Sequence, residues 1–445
     1  MMQLDAEEKE RICRVAQQLH QAARPLKILE TIAWPAQVKA DFFAQNASQL
    51  PEVSYPDFDA QPVIEQIRAA KREIFEDNII DLWLARNANA IEMAARMLAG
   101  AGTPVFFEYS RNAYGDPTSP VRFDTETPLE LAQTIQHKIE QLNQIQLNLA
   151  PLTYYSAEEV AQQLEVAVKQ HFGEDAPQVP IVDELSANAL ASSKSIKIRR
   201  DAQFTDRDTA QLLNHEAYIH VATAINGSAQ AKLPILSVGH PGTTCTQEGL
   251  AVFSEIIAGT IELHRLQRLA DRVFAIQMAI DGSNFLDVYH YFLERTDNPD
   301  QSFESARRVF RGGVITGGAP FTKDVVYLYG LLQVSGAIRA MFAAGRSDCL
   351  VLLFCGKLDL IDIPALCELT AMGLCQLPRY LPPWIQDPRY LLAFLTYSAF
   401  MEQIESEPMT RLVKRLLANA PVISLPSATA TTATTATESC SEVIP

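Results

Sequence analysis

The chain has 445 residues, a formal net charge of −16, 48% hydrophobic and 8% aromatic residues, enough apolar material for a large core in one elaborated domain or two. The acidic balance argues against a nucleic-acid partner, which needs clustered positive charge, and against docking on an anionic membrane. It leaves room for a locally basic cleft.

Residues 1–55 read as an N-terminal helical arm. Ile12, Val15, Ala16 and Leu19 are spaced for one buried helical face, and Pro25, Pro35 and Pro51 then break the pattern. The first residues, Met1 to Lys9, are charged and lack the apolar stretch of a signal peptide. Residues 56–175 read as a helical scaffold. Helices are predicted over 63–75 and 78–101, a loop over Tyr109 to Pro120, and helix starts at Thr127-Pro128 and Ser156. Gly173 closes the last of these, and residues 144–155 read as a linker. No apolar run approaches the length that spans a bilayer. The seven cysteines are odd in number and form no CxxC pair, so they read as reduced thiols. The expected compartment is the cytoplasm.

From residue 176 the pattern changes. Val179 to Asp183 and Ser195 to Arg199 read as short strands. A strand just before the next helix is either an edge that takes up an extended substrate or part of an ordinary small sheet. The next helix, capped by Thr205 or Asp206, carries His215-Glu216-x-x-x-His220. Histidines four residues apart share a helical face; five apart, they stand roughly 140° around a regular α-helix. A widened turn of π type near Ala217 to Ile219 brings them back together, and such turns occur at functional sites. The competing reading is a helix with two unrelated histidines. Gln247-Glu248-Gly249-Leu250-Ala251 follows on a helix predicted over 246–272. His215, His220 and Glu248 form the three-ligand pattern of a catalytic zinc site, one ion per chain. Glu216, beside a ligand, is placed as the base that activates the metal's water. His240 in the connecting loop, and Glu255 and Glu262 further on, are alternative ligands. Gly249 allows close helix approach.

Further along, Arg307, Arg308 and Arg311 cluster in an otherwise acidic chain, and Gly312-Gly313 and Gly317-Gly318 mark a tight loop. Lys323 and Tyr327 follow on a new helix, Tyr327 placed to donate to an oxyanion or simply structural. Residues 348–405 read as a helical cap, and the Ala/Thr-rich tail, 421–445, as disordered.

The two motifs in this order, with Arg311-Gly312-Gly313, Gly317-Gly318, Phe321-Thr322-Lys323-Asp324 and Tyr327, resemble the microtubule-associated tyrosine carboxypeptidase family, whose bacterial relatives are catalogued as QEGLA-motif proteins. The resemblance spans roughly residues 60 to 415. It implies a mainly helical α+β fold with a zincin-like catalytic domain over 176–415, a small sheet, and helical additions at both ends. It further implies a zinc carboxypeptidase acting on the C-terminus of a peptide or protein, with a preference for terminal tyrosine or another aromatic residue. Such an enzyme must hold a terminal carboxylate, for which arginine is suited; Arg308 and Arg311 are the candidates, with Lys323 and Tyr327 as further substrate-binding residues. The rival reading is a non-catalytic regulatory protein that keeps the zinc site, since the bacterial label associates such proteins with flavohaemoglobin expression. Glu216 favours the enzyme, because a structural site needs no base.

Overall fold

The computed structural model describes residues 6–75, 77–120, 125–143, 153–183, 185, 188–403 and 407–417. The Ala/Thr-rich tail and most of the expected linker lie outside the described residues. The architecture is mainly helical with a small sheet.

The N-terminal helix Ala6–Ala23 buries the four apolar residues expected of it. It packs on helices Gln61–Lys71 and Ile79–Ala99. Its Arg11 donates to both oxygens of Asp81, at 2.8 and 3.0 Å. The same apolar core continues through Ile219, Leu250 and Leu353, so this arm is part of the body that carries the functional helices. A second core joins helix Ala157–Phe172 to the small sheet and to Ala217 and Val221. Ser156 caps that helix reciprocally with Glu159, as its sequence predicts.

Helices Pro241–Ile257 and Val326–Ala343 cross with almost no separation. A Cβ on Gly249 would lie 2.2 Å from the Gly330 carbonyl oxygen, and one on Gly330 would lie 2.2 Å from that of Cys245. The predicted close approach at Gly249 is therefore real, and its partner is a second glycine. This crossing anchors Glu248 beside the N-terminal end of the second helix. Residues 323–343 are long and apolar enough, with mean hydropathy 1.4, to cross a membrane by length and composition, contrary to the sequence expectation. Here the segment starts at a buried lysine and packs through Gly330 into the protein's interior.

Three further expectations are corrected. Tyr109 to Tyr114 is not loop: Thr103 caps a helix, Pro104–Tyr114, with Pro in its first turn, and Gly115 at φ 84° ends it. Residues 246–272 are not one helix: Pro241–Ile257 stops, Gly259 turns the chain at φ 68°, and Leu263–Ile280 begins afresh. The strand Ile196–Arg199 is not an edge. It is the centre of a three-stranded sheet, parallel to Ile181–Val182 and antiparallel to Ala189–Ala191, a strand too short and too small in side chains to be conspicuous in sequence.

Candidate metal centre

The histidine-bearing helix changes pitch where the spacing requires it. Residues Asp208–Leu212 are α-helical, Leu213–Val221 form a π-helix, and Ala222–Ser228 return to α. The i→i+5 repeat places residues five apart on one face, and the widened segment is nine residues long rather than a single bulge. Side chains satisfy carbonyls at both ends: Asn214 Nδ2 donates to Ala210 at 2.9 Å and the Thr223 hydroxyl to Ile219 at 2.7 Å. The rings of His215 and His220 consequently lie 5.0 Å apart.

Glu248 faces both. Its Oε2 is 3.7 Å from His215 Nε2 and 3.6 Å from His220 Nε2, and one ligand atom from each residue falls within 4.8 Å of the others. Glu248 Oε2 is buried with no hydrogen-bond partner, while Oε1 accepts from Lys323 Nζ at 2.9 Å. A buried carboxylate oxygen without a donor is costly. Aimed between two imidazole nitrogens, it fits a cation at that point. Burial alone would raise the Glu248 carboxyl; Lys323 and the two histidines outweigh it and hold it well below the usual range.

Behind His215 stands Glu255, fully buried, with Oε1 2.7 Å from Nδ1. It is therefore a support for a ligand rather than a third ligand. Arg265 grips both its oxygens, at 3.0 and 3.1 Å, and Gln211 donates to Oε2 at 3.0 Å. Burial pushes the Glu255 carboxyl up, but Arg265 and His215 bring it down to about 2. Nδ1 taken by a carboxylate leaves Nε2 as the face for metal, a common arrangement behind metal-binding histidines. Burial likewise works against a charged His215, yet Glu248 and Glu255 lift it to about 10. A metal at this position would displace that proton.

His240 and Glu262 lie apart from the converging group, each with another partner. His240 is buried at the N-cap of Pro241–Ile257, its Nε2 2.9 Å from Asn87 Oδ1, and burial lowers it to about 4. Glu262 faces His264 at 3.1 Å. Neither belongs to the converging group. Glu216, half-buried, makes no hydrogen bond among the described residues and contributes to the field at His215 and Lys357.

Lys357 is the residue that sequence reasoning misses. It follows the apolar run 350–355 and has the look of an ordinary loop lysine. Its Nζ donates to the His220 carbonyl at 3.2 Å, the Thr223 hydroxyl at 2.9 Å and Gln247 Oε1 at 2.8 Å. It thus joins the backbone of one metal-facing residue to the residue preceding another. Burial lowers its pKa to about 8, against the pull of Glu248 and Glu216.

The basic candidates divide. Arg308 is paired with both oxygens of Asp324, at 2.6 and 2.9 Å, and reaches the Tyr327 hydroxyl at 3.3 Å. Lys323 is bound to Glu248, so it neutralises a ligand carboxylate. Arg311 is buried, with an unpartnered Nε, and meets no carboxylate among the described residues; burial and neighbouring Arg308 lower it to about 10. Arg268 likewise has no carboxylate partner among the described residues and an unpartnered Nε, and the one carboxylate near Arg272 among them is the Asp324 already held by Arg308, at 3.7 Å. Tyr327 lies under these cations, 4.8 Å from Arg272 and 5.0 Å from Lys323. A small cavity of about 200 Å³ is bordered by Tyr114, His240, Thr244 and Lys323, the last of these the partner of Glu248. A larger open groove of about 650 Å³ runs along 165–178 and includes no candidate residue.

Two imidazoles and a carboxylate converge on one point, with His215 held by Glu255 and Glu248 by Lys323, and the group could hold a metal ion. The family model of the microtubule-associated tyrosine carboxypeptidases matches residues 40–403, and the chain belongs to that family. No curated protein matches the chain. Membership makes peptides or proteins the class of substrate and carboxypeptidase action the expected chemistry.

Proposed function

We propose that the protein is a zinc-dependent carboxypeptidase with a zincin-like core, which hydrolyses the C-terminal peptide bond and prefers a terminal tyrosine or another aromatic residue. The observation that carries the metal is the unpartnered, buried Glu248 Oε2 facing His215 and His220. When bound there, zinc supplies Lewis acidity that lowers the pKa of a water to roughly 7.

His215, His220 and Glu248 hold the ion, Glu255 keeps Nε2 of His215 turned towards it, and Lys323 offsets part of the ligand charge. Glu216 has a free carboxylate beside the ligands, so it takes the proton from the attacking water and returns it to the leaving amine. Arg311 receives the terminal carboxylate, since Arg308 is already held by Asp324; Tyr327 donates towards the oxyanion. The strand Ala189–Ala191 is a sheet edge that packs on the π-helix, and it supplies backbone groups for an extended substrate.

Metal content of the wild type beside Glu248→Ala tests the centre: about one zinc per chain, lost in the variant, is expected. A peptide panel with free and amidated C-termini tests the reaction. Cleavage that persists on amidated peptides excludes a carboxypeptidase, and absence of metal from the wild type transfers weight to a regulatory binding protein.

A further inference from the structure

We propose that Cys349 and Cys367 form a dithiol that peroxide oxidises to a disulfide, a modification site separate from the metal centre. Four of the seven cysteines fall between residues 349 and 375, and the fold sorts them into two pairs. Cys349 on helix Asp348–Leu352 faces Cys367 on helix Ile363–Ala371, with the sulfurs 3.7 Å apart. A disulfide needs roughly 2.05 Å between the sulfurs, so the bond forms once the two short helices let the sulfurs come closer. Cys355 and Cys375 form the second contact.

The pairs differ in access and charge. Cys355 and Cys375 are both buried, and no cation faces either sulfur among the described residues. Cys367 is partly exposed, and Arg346 Nη2 lies 3.8 Å from its sulfur. Arg346 is itself 53% exposed and paired with Asp348, so solvent and small solutes reach this corner. Cys367 is thus the sulfur of the pair that a small oxidant can reach. Cys349 is buried, its sulfur 3.8 Å from Asp348 Oδ2, and burial together with Cys367 raises its pKa to about 11. The attacking sulfur is therefore Cys367 and the resolving one Cys349.

The chemistry balances with hydrogen peroxide as the oxidant. The Cys367 sulfur attacks one peroxide oxygen, the O–O bond breaks, and the departing hydroxide takes up the thiol's proton and leaves as water. Cys367 is then a sulfenic acid. The Cys349 sulfur attacks the Cys367 sulfur, the S–O bond breaks, and the hydroxyl leaves with the Cys349 proton as a second water. Two thiols lose two electrons and one peroxide gains them. The bridge closes the segment that carries Lys357 into the metal centre, joining the two helices that flank it.

The test uses the full chain, treated with stoichiometric hydrogen peroxide and then blocked with N-ethylmaleimide under denaturing conditions. Digestion with trypsin and a glutamyl endopeptidase separates Cys367 from Cys375, because Glu368 lies between them, and fragmentation of the 347–357 peptide, which holds both Cys349 and Cys355, shows which of the two is linked and which carries maleimide. The expected product is a disulfide-linked pair joining the Cys367 peptide to the Cys349 peptide, released by reductant, while Cys375 carries maleimide. In Cys349→Ser, a dimedone adduct should form on Cys367 at least tenfold more than on any other cysteine. Maleimide on both Cys349 and Cys367 after oxidation, or a linked Cys375 peptide in place of Cys367, overturns the proposal. So does dimedone labelling of Cys349→Ser that shows no preference for Cys367. None of these readouts depends on peptidase activity.

Discussion

The two sides of the centre are built on opposite electrostatic plans. On the histidine side, charges are matched: Glu255 with His215 and Arg265, Glu248 with Lys323, and among the described residues one buried carboxylate oxygen, Glu248 Oε2, is left without a donor. On the arginine side, Arg272 and Arg308 share Asp324, while Arg268 and Arg311 meet no carboxylate among the described residues. Buried charges without partners are unfavourable, so a bound cation would relieve the first side and a bound anion the second. The pairing teaches that a site can be read from what its buried groups fail to find as well as from what they hold.

The sharpest way to break this comparison is to remove an unmatched group and look for loss of its guest. Glu248→Ala should abolish metal retention after dialysis, read by elemental analysis, with folding preserved by circular dichroism. Glu216→Gln should keep the metal and lower kcat by roughly 100-fold or more, the usual range for a positioned base; full activity in this variant would remove Glu216 from the chemistry. Arg308→Ala and Arg311→Met separate a structural cation from a receiving one. Arg308→Ala leaves the buried Asp324 with only its longer 3.7 Å contact to Arg272 and should destabilise the protein by about 3–5 kcal/mol in denaturant titrations. Arg311→Met should leave stability the same or higher and raise KM for peptides with a free carboxylate, while sparing any residual turnover of amidated ones. If the two variants behave alike, the assignment of separate roles fails.

Smaller effects sharpen the picture. Glu255→Gln and Lys357→Met alter supports behind the centre, and each should weaken metal affinity by about 10- to 100-fold in chelator competition. Gly249→Ala drives a methyl into the Gly330 carbonyl and should cost about 1–3 kcal/mol in thermal or chemical unfolding.

Much of the centre is legible in sequence because its signals are local. The five-residue spacing of His215 and His220 conflicts with a regular α-helix, and that conflict alone locates the π segment, which is longer than expected. Glu248 and the glycine beside it lie in one short motif. Arg308, by contrast, is the equal of Arg311 as a candidate until Asp324 is brought against it, and Glu255 resembles a possible ligand until the helix turns it onto Nδ1 of His215. Lys357 has no local signal at all, since its three acceptors come from residues 110 to 137 positions away in the chain. The helix Pro104–Tyr114 escapes a sequence reading because its polar residues and terminal glycine look like loop, although Thr103 and Pro104 offer a cap signal.

By itself, the sequence determined the candidate ligand set, the change of helical pitch and the predominance of helices, because these follow from residue spacing over one or two turns. Only the tertiary structure decided which arginine is paired, which carboxylate supports a ligand, and which oxygen of Glu248 is left without a donor. Those outcomes depend on long-range packing, above all the Gly249–Gly330 crossing, where absent side chains let two helices meet and so place Lys323 against Glu248.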